Sequence, residues 1–423
     1  MTNQSNLKKY IVHVDGDNFF ASCELARFPH LKNKAVVVGR ERGIAVAYNS
    51  HAKALGVTRA MPIHQIQREL PQVVILTSHF ELYKTFSKRI TSIVSKYMDT
   101  VSVYSIDEVF CQYSTNGDVV FEMKKIQKEV FETLGITVSI GISSTRVLAK
   151  LATSVQKPNG CTLITESNRE KVLSETPIKY VWGVGRATAL YLERRGIVTA
   201  LDFVSMDEES LRREHMPLRE LYFGLRGVAD KTEPVNKQQA TFQSTESFPK
   251  TSERAFLFSE ISRHVEILEA RTLSTDFIIK SVIIYLKDVN LRYYVREIKI
   301  QEFKQSTNYI LNQVEILFEQ IYSSNNVYKS TGVTFNTTSA TTSSSKQSSL
   351  FEDLEPKNKT GDYMCTTSIE ATKASIQAKY GHSSLYNGSS AVSISRKNTK
   401  RRELNQSDAY IYGLPLPYLG TTN

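Results

Sequence analysis

After a polar opening, the β-branched apolar run Tyr10–Val14 ends directly in Asp15, the pattern of a buried strand. A second strand is expected over Ala35–Val38, bounded by basic and glycine residues. Over Phe80–Met98, the positions Leu82, Phe86, Ile90, Ile93, Val94 and Tyr97 follow the i, i+3, i+4 spacing of a helix. Thr100–Tyr104 reads as a short strand, followed by Ser105-Ile106-Asp107-Glu108 and the apolar pair Val109-Phe110. A helix over Val119–Leu134 then leads through Gly135 to a strand over Thr137–Ile142. The order strand–helix–strand–strand–helix–strand predicts a ferredoxin-like sheet, with residues 31–78 as an inserted helical lobe.

From about residue 171 the pattern turns helical, with short loops at Gly183, Gly185, Gly196, Gly224 and Gly227. Lys231–Thr241 is polar, carries a proline and suits a linker. A second α+β unit follows. Its expected elements are a strand near Thr241–Ser247, a helix over Ser252–Leu273, and strands over Phe277–Lys287 and Arg292–Ile300. A helix over Ser306–Tyr322 and a strand over Tyr328–Phe335 complete it. Beyond Phe335 a Ser/Thr tract begins that lacks the apolar area to order itself. Residues 367–380 carry Ile369, Ile376 and Tyr380 at amphipathic spacing.

Composition narrows the class. The 423 residues are 41% apolar with no run of 18 apolar positions, which points to globular domains and no spanning helix. The first residues show no apolar stretch of signal-peptide length. The four cysteines, Cys23, Cys111, Cys161 and Cys365, lie far apart without a CxxC pair, so neither a disulfide scaffold nor a zinc site is expected, and a reducing cytoplasm is. The net charge of +10 favours polyanions as partners. Its excess lies before residue 178 and after 335, while the stretch between is nearly balanced. Any grip on nucleic acid must therefore come from placed residues.

The candidate chemistry sits at strand ends. Asp15 follows one apolar strand, and Asp107-Glu108 follow another. Clustered carboxylates beside apolar strands are costly unless neutralised, and a pair of Mg²⁺ ions with substrate phosphates would neutralise them. Two such ions can activate a hydroxyl and stabilise the leaving oxygen of a phosphoryl transfer. Ala149–Gly160 reads as a helix stopped by Lys157-Pro158-Asn159-Gly160, a turn that can present Lys157 to a phosphate. Val181–Leu190 reads as the hairpin between two helices of a helix–hairpin–helix, in which Gly183 and Gly185 let backbone amides approach a phosphate and Arg186 opens the next helix.

The segments Asp15-Gly16-Asp17-Asn18-Phe19-Phe20-Ala21-Ser22-Cys23-Glu24 and Tyr104-Ser105-Ile106-Asp107-Glu108 resemble the Y-family DNA polymerases of translesion synthesis. The ASCE ending, Asn49–Val57 and Phe80–Lys84 look most like the UmuC branch. The resemblance implies an α+β right-hand polymerase. Its ferredoxin-like palm would span 1–170 with small fingers at about 31–78, and its helix–hairpin–helix thumb 171–235. An α+β little finger over 241–335 and a largely disordered tail over 336–423 would follow. It also implies Asp15, Asp107 and Glu108 as metal-binding acids with the Gly16 carbonyl, Phe20 as steric gate, and Phe19, Lys53 and Lys157 at the nucleotide. Asp17 matches no metal ligand. Where many relatives carry Tyr and Arg against the triphosphate, this chain has Ser50 and Lys53, which predicts looser phosphate clamping.

Gln347-Ser348-Ser349-Leu350-Phe351 looks like the pentapeptide by which bacterial polymerases bind the sliding clamp, with Gln347, Leu350 and Phe351 as its anchors. The implied partners are primed and damaged DNA, deoxynucleoside triphosphates, the clamp, and an accessory subunit or recombinase filament, with no membrane. In the little finger Lys280, Lys287, Arg292, Arg296 and Lys299 are expected to meet DNA backbone, whereas Arg40, Arg42 and Arg59 read as solvated surface. Two alternatives remain: a nucleotidyl cyclase with a related two-metal palm, and a catalytically idle factor that binds DNA and clamp.

Overall fold

The computed structural model describes residues 7–212, 214–228, 241–272, 277–300, 306–339, 372–373, 375–376 and 385–396. Two compact units form, with the boundary between Val235 and Asn236.

The first unit is organised on β1 (Lys8–Gly16), the middle strand of a five-stranded sheet. Helix α1 (Phe19–Arg27) follows, and then the inserted lobe: β2 (Val36–Val38), β3 (Ala47–Tyr48), α2 (Ser50–Ala54), α3 (Ile63–Glu69) and β4 (Val74–Leu76). The lobe differs from the helical insertion expected, because β3-β2-β4 form a sheet of their own. All three residues of β2 are fully buried, which a short exposed helix would not achieve.

The chain returns through α4 (Phe80–Ser95), β5 (Thr100–Val103), β6 (Glu108–Thr115), α5 (Val119–Leu134), β7 (Val138–Ser143), α6 (Arg146–Val155) and β8 (Cys161–Leu163). The sheet order β5-β6-β1-β7-β8 is ferredoxin-like, with β8 added in parallel beside β7. Phe86, Ile90 and Val94 of α4 and Met123, Ile126 and Val130 of α5 bury one face of this sheet. Helix α6 covers β1 and β7, and its Thr153 meets the buried His13. Asp118 starts α5 by accepting from the Val120 and Phe121 amides.

The helices α7 (Glu166–Ser174), α8 (Arg186–Glu193), α9 (Ala200–Val204), α10 (Glu208–Arg212) and α11 (Met216–Leu225) share a separate core around Leu192, Phe203 and Leu225. A 3-10 turn over Ile178–Tyr180 stands where the first helix of the hairpin was expected. Pro177 begins it and bridges to Thr199, so the segment is pinned too early to wind a full helix.

The second unit comprises β9 (Thr241–Thr251), α12 (Arg254–Thr272), β10 (Phe277–Asp288), β11 (Tyr293–Lys299), α13 (Thr307–Ile321) and β12 (Tyr328–Ser339). Its antiparallel sheet runs β11-β10-β12-β9, with Val282, Ile284 and Leu286 turned into a core with both helices. β12 continues past Phe335 because Thr337 and Thr338 pair with Ile279 and Ile278.

Within the tail, residues 385–396 fold onto α12. Ser390 and the Asn387 amide donate to Glu266, the latter at 3.1 Å, and Ser393 donates to Glu260 at 2.6 Å. These bonds explain how α12 can bury Glu260 and Glu266. Among the described residues no helix is long and apolar enough to cross a membrane.

Candidate active site

The register of the sheet assembles the acids. Asp15 lies opposite Glu108 across β1–β6 and opposite Ser139 across β1–β7. The turn before β6 closes when the Tyr104 and Ser105 amides donate to the Glu108 carbonyl at 3.0 and 3.1 Å. The Gly16 amide donates to the Asp107 carbonyl at 2.9 Å, and Ser105 Oγ donates to Asp107 Oδ1 at 2.5 Å. Asp15, Gly16, Asp107 and Glu108 therefore share one end of the sheet.

Two lysines meet this cluster. Lys157 Nζ is 2.6 Å from Asp15 Oδ1, and Lys150 Nζ is 2.5 Å from Glu108 Oε2. Burial pushes the Asp15 carboxyl up to about 6 against the pull of Lys157, and Glu108 and Asp107 add like-charge repulsion. Burial opposes the Glu108 anion as well, but His13 and Lys150 outweigh it and bring its pKa down to about 2. The His13 Nε2 to Glu108 Oε2 separation of 3.7 Å is too long for a hydrogen bond, so Lys150 is the firmer partner. Burial lowers the His13 pKa below its ordinary value, against the pull of Glu108.

His13, Asp15 and Glu108 each bring one ligand atom within 4.8 Å of the others. Hard carboxylate oxygens gathered in a half-buried site, repelling one another and drawing lysines to them, fit divalent cations.

Asp17 stands apart from this set. It is 3% exposed, and its carboxylate accepts from Ser139 Oγ and from the Asn159 amide, both at 2.7 Å. It thereby fastens the turn carrying Lys157 to the end of β1. Gly160 closes that turn tightly, for a Cβ there would stand 1.6 Å from the Gln156 carbonyl oxygen. Gln127 of α5 holds the Gly160 carbonyl from the other side at 2.9 Å.

Beside Asp107 opens a cleft of about 360 Å³. Asn18, Phe19, Phe20 and Ile106 line it together with Val46, Ala47, Tyr48, Lys53 and Arg59 of the inserted lobe. Phe20 stacks on Tyr83 with centroids 4.4 Å apart and planes at 16°, and meets the edge of Phe80 at 5.7 Å. Tyr83 is fixed in turn, because its hydroxyl donates to the buried Glu24 at 2.6 Å. Phe19 is mostly buried, its ring tilted against Phe20 at 5.8 Å. Lys53 is presented by α2, whose start is held by Asn49: its side chain accepts from Ala52 and Val36 amides and donates to the Lys34 carbonyl. Arg59 is exposed, as expected, and lines the cleft together with Lys53, while Arg42 lies over the Phe80 ring.

Gly183 takes φ +95 and Gly185 caps α8, where Arg186 is exposed. The positive φ favours glycine, and both backbones stand open. In the second unit the five basic residues do not share a face. Lys287 and Lys299 lie on the helix-free side of the sheet with Tyr285 and Tyr293, whereas Arg296 pairs with Ile284 on the other side. Gln347, Leu350 and Phe351 lie outside the described residues.

Sequence reasoning missed the Glu24–Tyr83 support behind Phe20 and gave Lys150 no role. A glutamate on an apolar helix face was the available signal for the first. The second depends on α6 crossing β1, which no local pattern announces.

Residues 14–154 match the impB/mucB/samB family (IMS). The chain is 28% identical over 358 residues to a DNA polymerase IV of Clostridioides difficile (strain 630), covering 82% of this chain and 97% of the relative. It is 26% identical over 333 residues to a DNA polymerase IV of Listeria monocytogenes serotype 4b (strain F2365), covering 77% and 94%. Its fold is similar to a Y-family DNA polymerase chimera, Dbh-Dpo4(243-245)-Dbh, with a TM-score of 0.66 and 22% identity over 77% of this chain and 98% of that one. An insertion ternary complex of Dbh DNA polymerase gives a TM-score of 0.55 and 24% identity, covering 78% and 99%.

Proposed function

We propose that this chain, a DNA polymerase of the Y-family, extends primed DNA past damaged template bases with two Mg²⁺ ions at Asp15, Asp107, Glu108 and the Gly16 carbonyl. The observation that carries this reading is the meeting of the three acids at one sheet end beside a cleft holding Phe20 and Lys53. Bound ions would activate the primer hydroxyl and offset charge on the transferred phosphate. The protein's own residues do the positioning. Lys53 and Lys157 attract the triphosphate, and Phe20 offers the sugar a flat ring with no hydrogen-bond acceptor. Gly183, Gly185 and Arg186 hold the DNA backbone through open amides and a positive charge. Residues 1–170 with the lobe at 31–78 serve as palm and fingers, 171–235 as thumb and 241–335 as little finger. The ASCE, NSHAKALGV and FELYK segments favour a UmuC-like, error-prone branch.

The test is primer extension on undamaged and lesion-bearing templates. Template-directed incorporation past the lesion is expected, with no cyclic nucleotide formed. Cyclic product would favour a cyclase, and DNA binding without extension would favour an idle factor.

Asp17 bears on nucleotide binding through Lys157. Asp17→Ala frees the Asn159 amide and loosens the turn, so the KM for the incoming nucleotide should rise about tenfold, a loss of about 1.4 kcal/mol. Asp17→Asn keeps one acceptor and should fall between. Single-nucleotide insertion kinetics will show this as a change in KM larger than that in kcat.

We also assign clamp binding to Gln347, Leu350 and Phe351, with the apolar pair to fill a pocket on the clamp and the glutamine to anchor it. Replacing Leu350 and Phe351 together by alanine should remove stimulation by clamp and leave extension without clamp unchanged. Stimulation that survives in the double mutant would refute the assignment.

A further inference from the structure

The chain's single tryptophan sits beside the acids rather than in a purely structural core. Trp182 Nε1 donates to the Tyr104 hydroxyl at 3.2 Å, and the two rings meet edge to face at 5.4 Å. On its other side Trp182 stacks on Phe110 at 5.6 Å and 30°. The ammonium of Lys150 lies 4.9 Å from the Tyr104 centroid and 5.5 Å from that of Trp182. The same ammonium touches Glu108 Oε2 at 2.5 Å. A lysine is a flexible, strongly hydrated point charge, and two aromatic faces reduce its freedom and part of its hydration.

We propose that Tyr104 and Trp182 form a bracket that holds Lys150 on Glu108, making Lys150 and Trp182 positioning residues that set how readily divalent cations reach the acids. The inference deepens the proposed cation binding and rests on it. Lys150 keeps the Glu108 carboxylate compensated and in place. It also occupies the oxygen a cation needs and presents a like charge to it. A cation must draw Glu108 away from the bracket, and Lys150 then becomes available to a phosphate of the DNA or nucleotide. Trp182, just ahead of Gly183, thus links the hairpin to the state of the acids.

The experiment measures Mn²⁺ binding to the full chain without DNA, by the loss of free-ion signal in electron paramagnetic resonance. In the wild type, binding should be accompanied by a saturable change in Trp182 emission. Lys150→Met should tighten Mn²⁺ binding three- to tenfold while slowing insertion, because the competing charge and the hold on Glu108 go together. Trp182→Leu should move Mn²⁺ affinity the same way by a smaller factor, and Trp182→Phe, which keeps an aromatic face, should restore most of the wild-type value. In the Lys150→Met background, Trp182→Leu should add nothing. Unchanged or weaker Mn²⁺ binding in Lys150→Met overturns the bracket. So does a Trp182→Leu protein that loses thermal stability without a change in Mn²⁺ affinity. A wild type that binds no Mn²⁺ would instead defeat the proposed cation site.

Discussion

Asp107→Ala or Glu108→Ala should lower primer extension by about a thousandfold or more, since under the proposed mechanism each would remove several kcal/mol of stabilisation of the reacting phosphate. DNA binding should survive, because Gly183, Gly185 and Arg186 lie on another element. Extension and gel-shift assays on the same preparations separate the two effects. Near-normal extension in either mutant would remove that acid from the site. The pH profile carries the same logic. Asp15 stands at about 6, so acid below that value protonates it and extension should fall. A bound cation favours the ionised form, so raising the cation concentration should move the falling limb to lower pH.

Phe20→Ala should raise ribonucleotide incorporation by about a hundredfold relative to the deoxy form, and Phe20→Leu by less. An apolar pocket alone rejects an added hydroxyl only weakly, by about a hundredfold, so sterics must supply the rest of the selectivity. The structure adds a reason for the ring to be effective. Phe20 is backed by Tyr83, which is pinned to buried Glu24, so it cannot swing away when the sugar presses on it. Tyr83→Ala should therefore relax sugar selectivity in the same direction, because the Phe20 ring, though still present, loses its backing. Insertion of paired ribo- and deoxynucleotides opposite one template base measures both, and unchanged selectivity in Phe20→Ala discards the gate.

The gathering of the three acids at one end of the sheet was legible in the sequence. Tyr10–Val14 and Val109-Phe110 are apolar runs that stop at acids, and such strands bring their ends together once paired in a sheet. The lobe was harder to read, because β2 is three valines and β3 only two residues, lengths at which periodicity carries no information. Lys150 lay within a helix whose buried positions were clear, yet its contact with Glu108 depends on α6 crossing the central strand. Arg59 is the exposed arginine it looked to be, and its place at the cleft comes only from the folding of the lobe. Long-range placement, rather than local propensity, accounts for each gap. The docking of residues 385–396 was not legible for a related reason: Ser390 and Ser393 look like solvent-loving residues, and only the buried glutamates of α12 make them good partners.

The docked segment at 385–396 alters what the tail is for. Glu260 and Glu266 lie buried on α12, and Ser393, Ser390 and the Asn387 amide are among the donors that answer them. Cutting the chain after Ser339 would leave both acids short of partners in a buried face, so the tail is a structural part of the second unit as well as an extension of it.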